Sequence, residues 1–253
     1  MARSPGAWIE DLAWPEAASR IADGAPILIP IGAAAKEHGH HLPMNTDYLL
    51  ARGLSEALLG QLAILAAPVI GLGYYPAFAE FAGSQSIDAP TFQATIEQVL
   101  ERLIDQGATR LALLNTGVST EAPIALAVAE IYRRRKIRAG VAHLRLLGNA
   151  VAHLWQHGGG HADERETSLM LALAPERVDL RRAPAFRAGD PATQIFRRPT
   201  ILSSDPLRGD EFAPSGATGD PSAATAEKGR TALAAIVAEL SAGLRTLFAD
   251  KLA

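Results

Sequence analysis

Apolar runs alternate with amphipathic stretches along this chain. Residues 26–31 are apolar, rich in Ile and Leu and closed by Gly32, which predicts a buried strand. Leu49, Leu50, Leu54 and Leu58 recur at helical spacing and predict a helix over 47–59. A second buried strand is predicted over 62–70. A strong helix follows over 91–106, with its cap region at 88–91, Pro90 near its start and Gly107 at its stop. A third strand over 110–115, a helix over 121–136 and a fourth strand over 139–147 come next, and 225–248 closes the chain as a long amphipathic helix. This alternation predicts an α/β fold with a mostly parallel sheet covered by helices on both faces, in one domain spanning residues 1–253. Residues 181–229 break the pattern. They are rich in Pro, Gly, Ser and Asp and too long for an ordinary connection, so an ordered excursion or an oligomer contact is expected there.

Composition narrows the function classes. Of 253 residues, 48% are apolar and 20% charged, the ordinary balance of a globular protein with a sizeable core. A net charge of −3 offers no basic excess for nucleic acid or an anionic membrane. Arg133, Arg134, Arg135 and Lys136 end a predicted helix, where they complement its dipole. No apolar stretch approaches the roughly 20 residues of a spanning helix, and the first ten residues do not read as a signal peptide. The absence of cysteine excludes disulfides, thiolate nucleophiles and cysteine metal sites. A cytoplasmic protein with a small-molecule substrate, and neither nucleic-acid nor membrane partners, is the expectation.

In parallel sheets ligands sit beyond the carboxyl ends of the strands. That points to residues 32–47, 71–86 and 115–121. The first of these holds Lys36, Glu37, His38, His40, His41 and Asp47, so three of the seven histidines fall within four positions, flanked by carboxylates. Neutral imidazole with carboxylate suits zinc, manganese or iron, and Gly39 permits the sharp turn that lets such groups converge. A solvated loop leading to a helix cap at Thr46 or Asp47 is the competing reading. His161 follows a glycine run and precedes a helix beginning near Asp163 and Glu164, whose charges favour the helix dipole. His161 is a candidate general acid or base, and Glu166 lies one turn inside. His143 reads as a core histidine, and His153 and His157 as a surface face. Gly71-Leu72-Gly73 followed by Pro76 makes no dinucleotide loop, and no phosphate loop or serine elbow is present.

Taken together, these segments resemble the creatininase (creatinine amidohydrolase) family. Pro30-Ile31-Gly32 with His38-Gly39-His40-His41-Leu42-Pro43 and Asp47 is similar to its first metal motif. His161 with Thr167-Ser168-Leu169-Met170-Leu171 is similar to its catalytic-histidine motif, and Gly219-Asp220-Pro221 through Gly229 to its C-terminal signature. The resemblance implies a three-layer αβα fold, often a hexamer, and a two-metal site that hydrolyses a C–N bond of a small amide. It makes His38 and Asp47 metal ligands, with Asp47 bridging, and His161 and Glu166 catalytic candidates.

The chain departs from that pattern at two positions. Lys36 stands where the family has a ligand Glu, with Glu37 next to it as a substitute after a register shift. The strand-end motif reads Asn115-Thr116-Gly117 and lacks its ligand His, which leaves Glu121 as a helper. This donor set, Glu37, His38, Asp47 and Glu121, supports one zinc or manganese ion better than two. Three functions follow: a metal-dependent amidohydrolase, a metal-free enzyme on the same scaffold using Lys36, and a non-catalytic small-molecule-binding homologue. Creatinine itself is not the expected substrate.

Overall fold

The structure, a computed structural model, describes residues 6–157, 160–184, 215–217 and 219–252. Its centre is a five-stranded, wholly parallel sheet. The strands are β1 (Ala7–Trp8), β2 (Ile27–Ile31), β3 (Leu65–Ala66), β4 (Leu111–Asn115) and β5 (Ala139–His143), in the order β1-β3-β2-β4-β5. The helices are α1 (Trp14–Ala22), α2 (Thr46–Leu59), α3 (Ala89–Asp105), α4 (Glu121–Arg135), α5 (Glu164–Leu173), α6 (Ala226–Leu247) and α7 (Ala249–Leu252).

Side-chain alternation along the strands sorts the core into two layers. Ile27, Ile29, Ile31, Leu65, Leu111 and Leu113 face α1, α3 and α4, packing with Phe92, Ile96, Leu100, Ile124 and Ile131. Leu28, Ala66, Ala112 and Leu114 face α2, α5, α6 and α7, packing with Leu54, Met170, Ile236 and Leu240. The result is the three-layer α/β fold expected. Asp88 caps α3 by accepting from the Thr91 N–H, Asp163 caps α5 from the Glu166 N–H, and Thr225 caps α6 from the Lys228 N–H. No described helix is long and apolar enough to cross a membrane.

Two predicted strands are shorter than their apolar runs. The 62–70 run pairs in the sheet only at Leu65–Ala66, because Pro68 has no N–H to give the ladder; the chain returns for one bridge, Ile70 to Ile31. The 139–147 run leaves the sheet after His143 and forms a 3₁₀ turn at Leu144–Leu146. There the carbonyls of Leu144 and Leu147 accept from Arg165 Nη2 at 2.8 Å rather than from a strand. The expected excursion at 181–229 lies largely outside the described residues, as does most of the glycine run before His161.

Candidate active site at the carboxyl ends of the strands

Gly32 ends β2, and a Cβ there would run into the backbone carbonyl of Asp47. Its absence lets the first turn of α2 lie against the strand end and delivers Asp47 beside it. Thr116, just past β4, places Oγ1 3.1 Å from both the Ile31 and Asp47 carbonyl oxygens, tying the two strand ends to that turn. Gly39, at φ +68°, turns the intervening loop back over the sheet. From the other half of the chain, α5 projects its first turn toward the same place.

Six of the seven predicted site residues meet there, and five of them are buried. Lys36 Nζ lies 2.7 Å from Asp47 Oδ2 and 5.0 Å from the Phe78 ring centroid. Burial would raise the Asp47 carboxyl, but the charge and hydrogen bond of Lys36, with His38 close by, hold it well below the usual carboxylate range. His38 Nδ1–H donates to the Lys36 carbonyl at 2.9 Å, which leaves Nε2 with its lone pair. That lone pair stands 3.3 Å from Asp47 Oδ1, and neither atom has a hydrogen-bond partner among the described residues.

His161 enters from the α5 side. Its Nε2–H donates to the Glu37 carbonyl at 2.8 Å and to Glu37 Oε2 at 3.1 Å, and its Nδ1 faces Glu166 Oε2 at 3.8 Å. The His161 ring stacks at a tilt 4.8 Å from His38 and 4.4 Å from Phe78. Burial pushes Glu37 up, yet His161's hydrogen bond and charge, the Gly39 N–H and His38 bring it below its ordinary value. Glu166 moves the other way: burial and the charges of Asp47 and Asp163 outweigh His161 and Lys36 and raise it. Glu166 Oε2 also accepts from the Ala162 N–H at 2.7 Å. Ala162 itself is held at φ +55°, a left-handed conformation that costs a Cβ-bearing residue on the order of 1 kcal/mol, stored in the turn that aims His161.

The placements refine the expected ligand set. Glu37 does not reach Asp47; its carboxylate is engaged by His161 and by the Gly39 N–H. Glu121 stays outside the group, since its carboxylate forms a two-point pair with Arg145, Oε2 to Nη2 at 2.6 Å. His143 is half-buried, with Nδ1 accepting from Asn115 Nδ2 at 3.1 Å at the end of β5. His157 Nε2 lies 3.1 Å from Asp220 Oδ2. Sequence reasoning pointed to the 71–86 segment but not to Phe78 within it, which packs on His161 from 83 positions away. It also missed the role of His41, whose Nε2 meets Thr167 Oγ1 at 2.9 Å and fastens the histidine loop to α5.

Among the described residues, one group of donors could hold a metal ion. His38, His161 and Glu166 each offer a ligand atom within 4.8 Å of the others, and Asp47 Oδ1 lies 3.3 Å from His38 Nε2. Two lone-pair acceptors facing one another in a buried site repel unless a proton or a metal cation is shared between them. Tetrahedral ligands about 2.0–2.2 Å from zinc stand about 3.3–3.5 Å apart, the separation of His38 Nε2 and Asp47 Oδ1. A second ion does not fit equally well, because the ammonium of Lys36 already occupies Asp47 Oδ2. A cleft beside this centre is lined by Lys36, Asp47, Gly73, Tyr75, Gly117 and Thr120, among others.

A wholly parallel sheet with a buried carboxylate–imidazole cluster beyond its strand ends defines an α/β protein with a candidate site at the carboxyl edge of its sheet. The chain belongs to the creatinine amidohydrolase (creatininase) family, whose model matches residues 10–244. It is 28% identical to a creatinine amidohydrolase of Pseudomonas putida over 97% of this chain and 98% of that protein. It is 29% identical to a mycofactocin precursor peptide peptidase of Mycobacterium ulcerans (strain Agy99), covering 83% and 81%. Among solved structures, a mutant creatininase of Zn-Zn type superposes with a TM-score of 0.80 at 26% identity, covering 95% of this chain and 98% of that one. A manganese creatininase superposes at 0.78 with 27% identity over 95% and 98%.

Proposed function

We propose that this protein hydrolyses a C–N bond of a small amide-like molecule, in the cytoplasm and as a homo-oligomer, using one divalent ion, zinc or manganese. The observation that carries this reading is His161: oriented on one side by Glu37, it presents Nδ1 to Glu166 beside His38 and Asp47. An ion held by His38 and Asp47 would supply Lewis acidity toward the substrate carbonyl. The chain's own residues do the rest. Asp47, kept ionised by Lys36, carries the negative charge of the centre. Glu166, raised by its surroundings, and His161 form the pair that takes a proton from the attacking water and returns one to the leaving nitrogen. The cleft walls formed by Tyr75, Gly73 and Thr120 would receive the rest of the molecule. The related creatininase and peptide peptidase, both named for amide-bond substrates, support the reaction class.

The test is a panel of cyclic amides, acyl amides and short peptides incubated with zinc- or manganese-loaded protein, with amine and acid release followed by mass spectrometry. Cleavage of at least one compound, lost by about 10²–10⁴-fold in His161→Ala, is expected. Turnover that His161→Ala leaves intact would overturn the assignment. Turnover undiminished by a chelator would instead favour the metal-free reading, to which the Lys36–Asp47 contact lends weight.

A further inference from the structure

Asp47 stands between two unlike neighbours. On Oδ1 lies the unpartnered Nε2 of His38; on Oδ2 lies the ammonium of Lys36. In a two-ion hydrolase a bridging carboxylate has a cation on each oxygen, the two about 3.5–4 Å apart. We propose that Lys36 is a built-in replacement for one of those cations, so that the centre takes a single ion on the His38 side. The inference rests on the one-ion hydrolase reading above and extends it to how the second position is filled.

Three further features support it. Lys36 is 6% exposed, and its ammonium is held between Asp47 and the face of Phe78, so it is a fixed charge rather than a surface lysine. Its backbone is part of the same construction: its N–H donates to the Met44 carbonyl, and its own carbonyl accepts from His38 and thereby aims Nε2 at Oδ1. On the neighbouring strand end, Gly117 offers no donor side chain to the cleft it shares with Lys36 and Asp47, and the Thr120 hydroxyl beside it is bonded to Asn115. An ammonium differs from a divalent ion in a way that matters for the chemistry. It has a single charge and N–H donors but no open coordination position, so it can stabilise negative charge developing on the carbonyl oxygen without accepting a lone pair from water.

The experiment reads metal content, not turnover. Metal-free protein is titrated calorimetrically with zinc, and the loaded protein is analysed for metal per chain. Wild type should saturate at about one equivalent. In Lys36→Gln the repulsive charge beside the ion is gone, and the first ion should bind at least about tenfold more tightly; a lysine that merely props Asp47 in place would give weaker binding instead. The double variant Lys36→Glu with Gly117→His supplies two new donors and should bind about two equivalents. A Cβ at position 117 comes closer than van der Waals contact only to the Thr120 hydroxyl, at 2.9 Å, a group able to rotate away. Two equivalents in wild type, weaker first-ion binding in Lys36→Gln, or no gain in a folded double variant would each overturn the proposal. One equivalent in wild type with no amide cleavage anywhere in the panel would count against the hydrolase reading alone.

Discussion

His161 Nε2 donates to Glu37 twice, to its carbonyl at 2.8 Å and to its carboxylate at 3.1 Å. Both partners are acceptors, so the proton resides on Nε2 and the lone pair on Nδ1, the nitrogen that faces Glu166. Glu37 is therefore a positioning residue for the candidate base, in the way a third group orients a general base in hydrolytic triads. Glu37→Gln retains an acceptor and should lower kcat of the proposed hydrolysis about tenfold with little change in KM. Glu37→Ala should lower it about 100-fold. Nitrogen-15 NMR of the imidazole should report the Nε2–H tautomer in wild type, and an Nδ1–H tautomer there would remove the basis for the prediction.

Gly216 sits at φ +77°, and a Cβ on it would fall within the Glu37 carboxylate. Gly216→Ala should consequently displace Glu37 and reproduce the kinetic defect of Glu37→Ala, although position 216 contributes no chemistry of its own. Gly243, in α6, has no atom within 4 Å of an added Cβ, so Gly243→Ala is the neutral control. Equal kinetics for the two alanine variants would show that the glycine does not shape the site.

His41 should make the protein sensitive to acid. Burial, together with the charges of His161, His38 and His40, outweighs the opposing pull of Glu37 and lowers it from 6.5 to about 4. The folded state thus keeps His41 neutral where the unfolded chain takes up a proton. Its contribution to stability is full above about pH 6.5, falls as pH drops toward 4 and is lost below. The shift corresponds to about 3 kcal/mol. Denaturant unfolding from pH 7 to pH 4 should show the stability gap between wild type and His41→Gln shrinking by that order. The difference cancels other groups, including Glu166 and Asp163, whose raised values act in the opposite direction. A gap that stays constant with pH would refute the assignment.

Much of this architecture was legible because it rests on local periodicity. The apolar run ending at Gly32 and the helical spacing of Leu50, Leu54 and Leu58 each carry their own signal, and both fall where the structure has β2 and α2. The two-residue β1 carried too little pattern to be predicted, whereas α1, nine residues long and amphipathic, is not among the predicted helices despite its pattern. At the site, the clustering of His38 and Asp47 in sequence made them visible, whereas pairings between distant segments did not show. Nothing near Glu37 indicates that its carboxylate turns toward a histidine 124 positions on rather than toward Asp47, ten positions away. Glu121 lies apart from the centre for a similar reason: Arg145, 24 positions on, pairs with its carboxylate, and only the β4–β5 pairing brings the two together.

The tightest helix contact in the structure supplies the last prediction. Gly229, in the first turn of α6, lies so close to α5 that an added Cβ would collide with the Ser168 carbonyl and approach the Ala172 Cβ to 3.0 Å. The colliding atom is backbone, so it cannot rotate aside, and the two helices would have to separate. Their separation would also pull on Thr225, whose N–H donates to Ser168 Oγ at 3.2 Å, and on Lys228, whose ammonium pairs with the buried carboxylate of Glu164 at 2.5 Å. Glu164 in turn accepts from the N–H groups of Gln156 and His157, so the strain reaches the segment leading to His161. Gly229→Ala should destabilise the fold by about 1–3 kcal/mol despite alanine's better helix propensity. Thermal unfolding and the first-ion affinity should fall together. A variant as stable as wild type would mean that α5 and α6 are not packed backbone to backbone at this point.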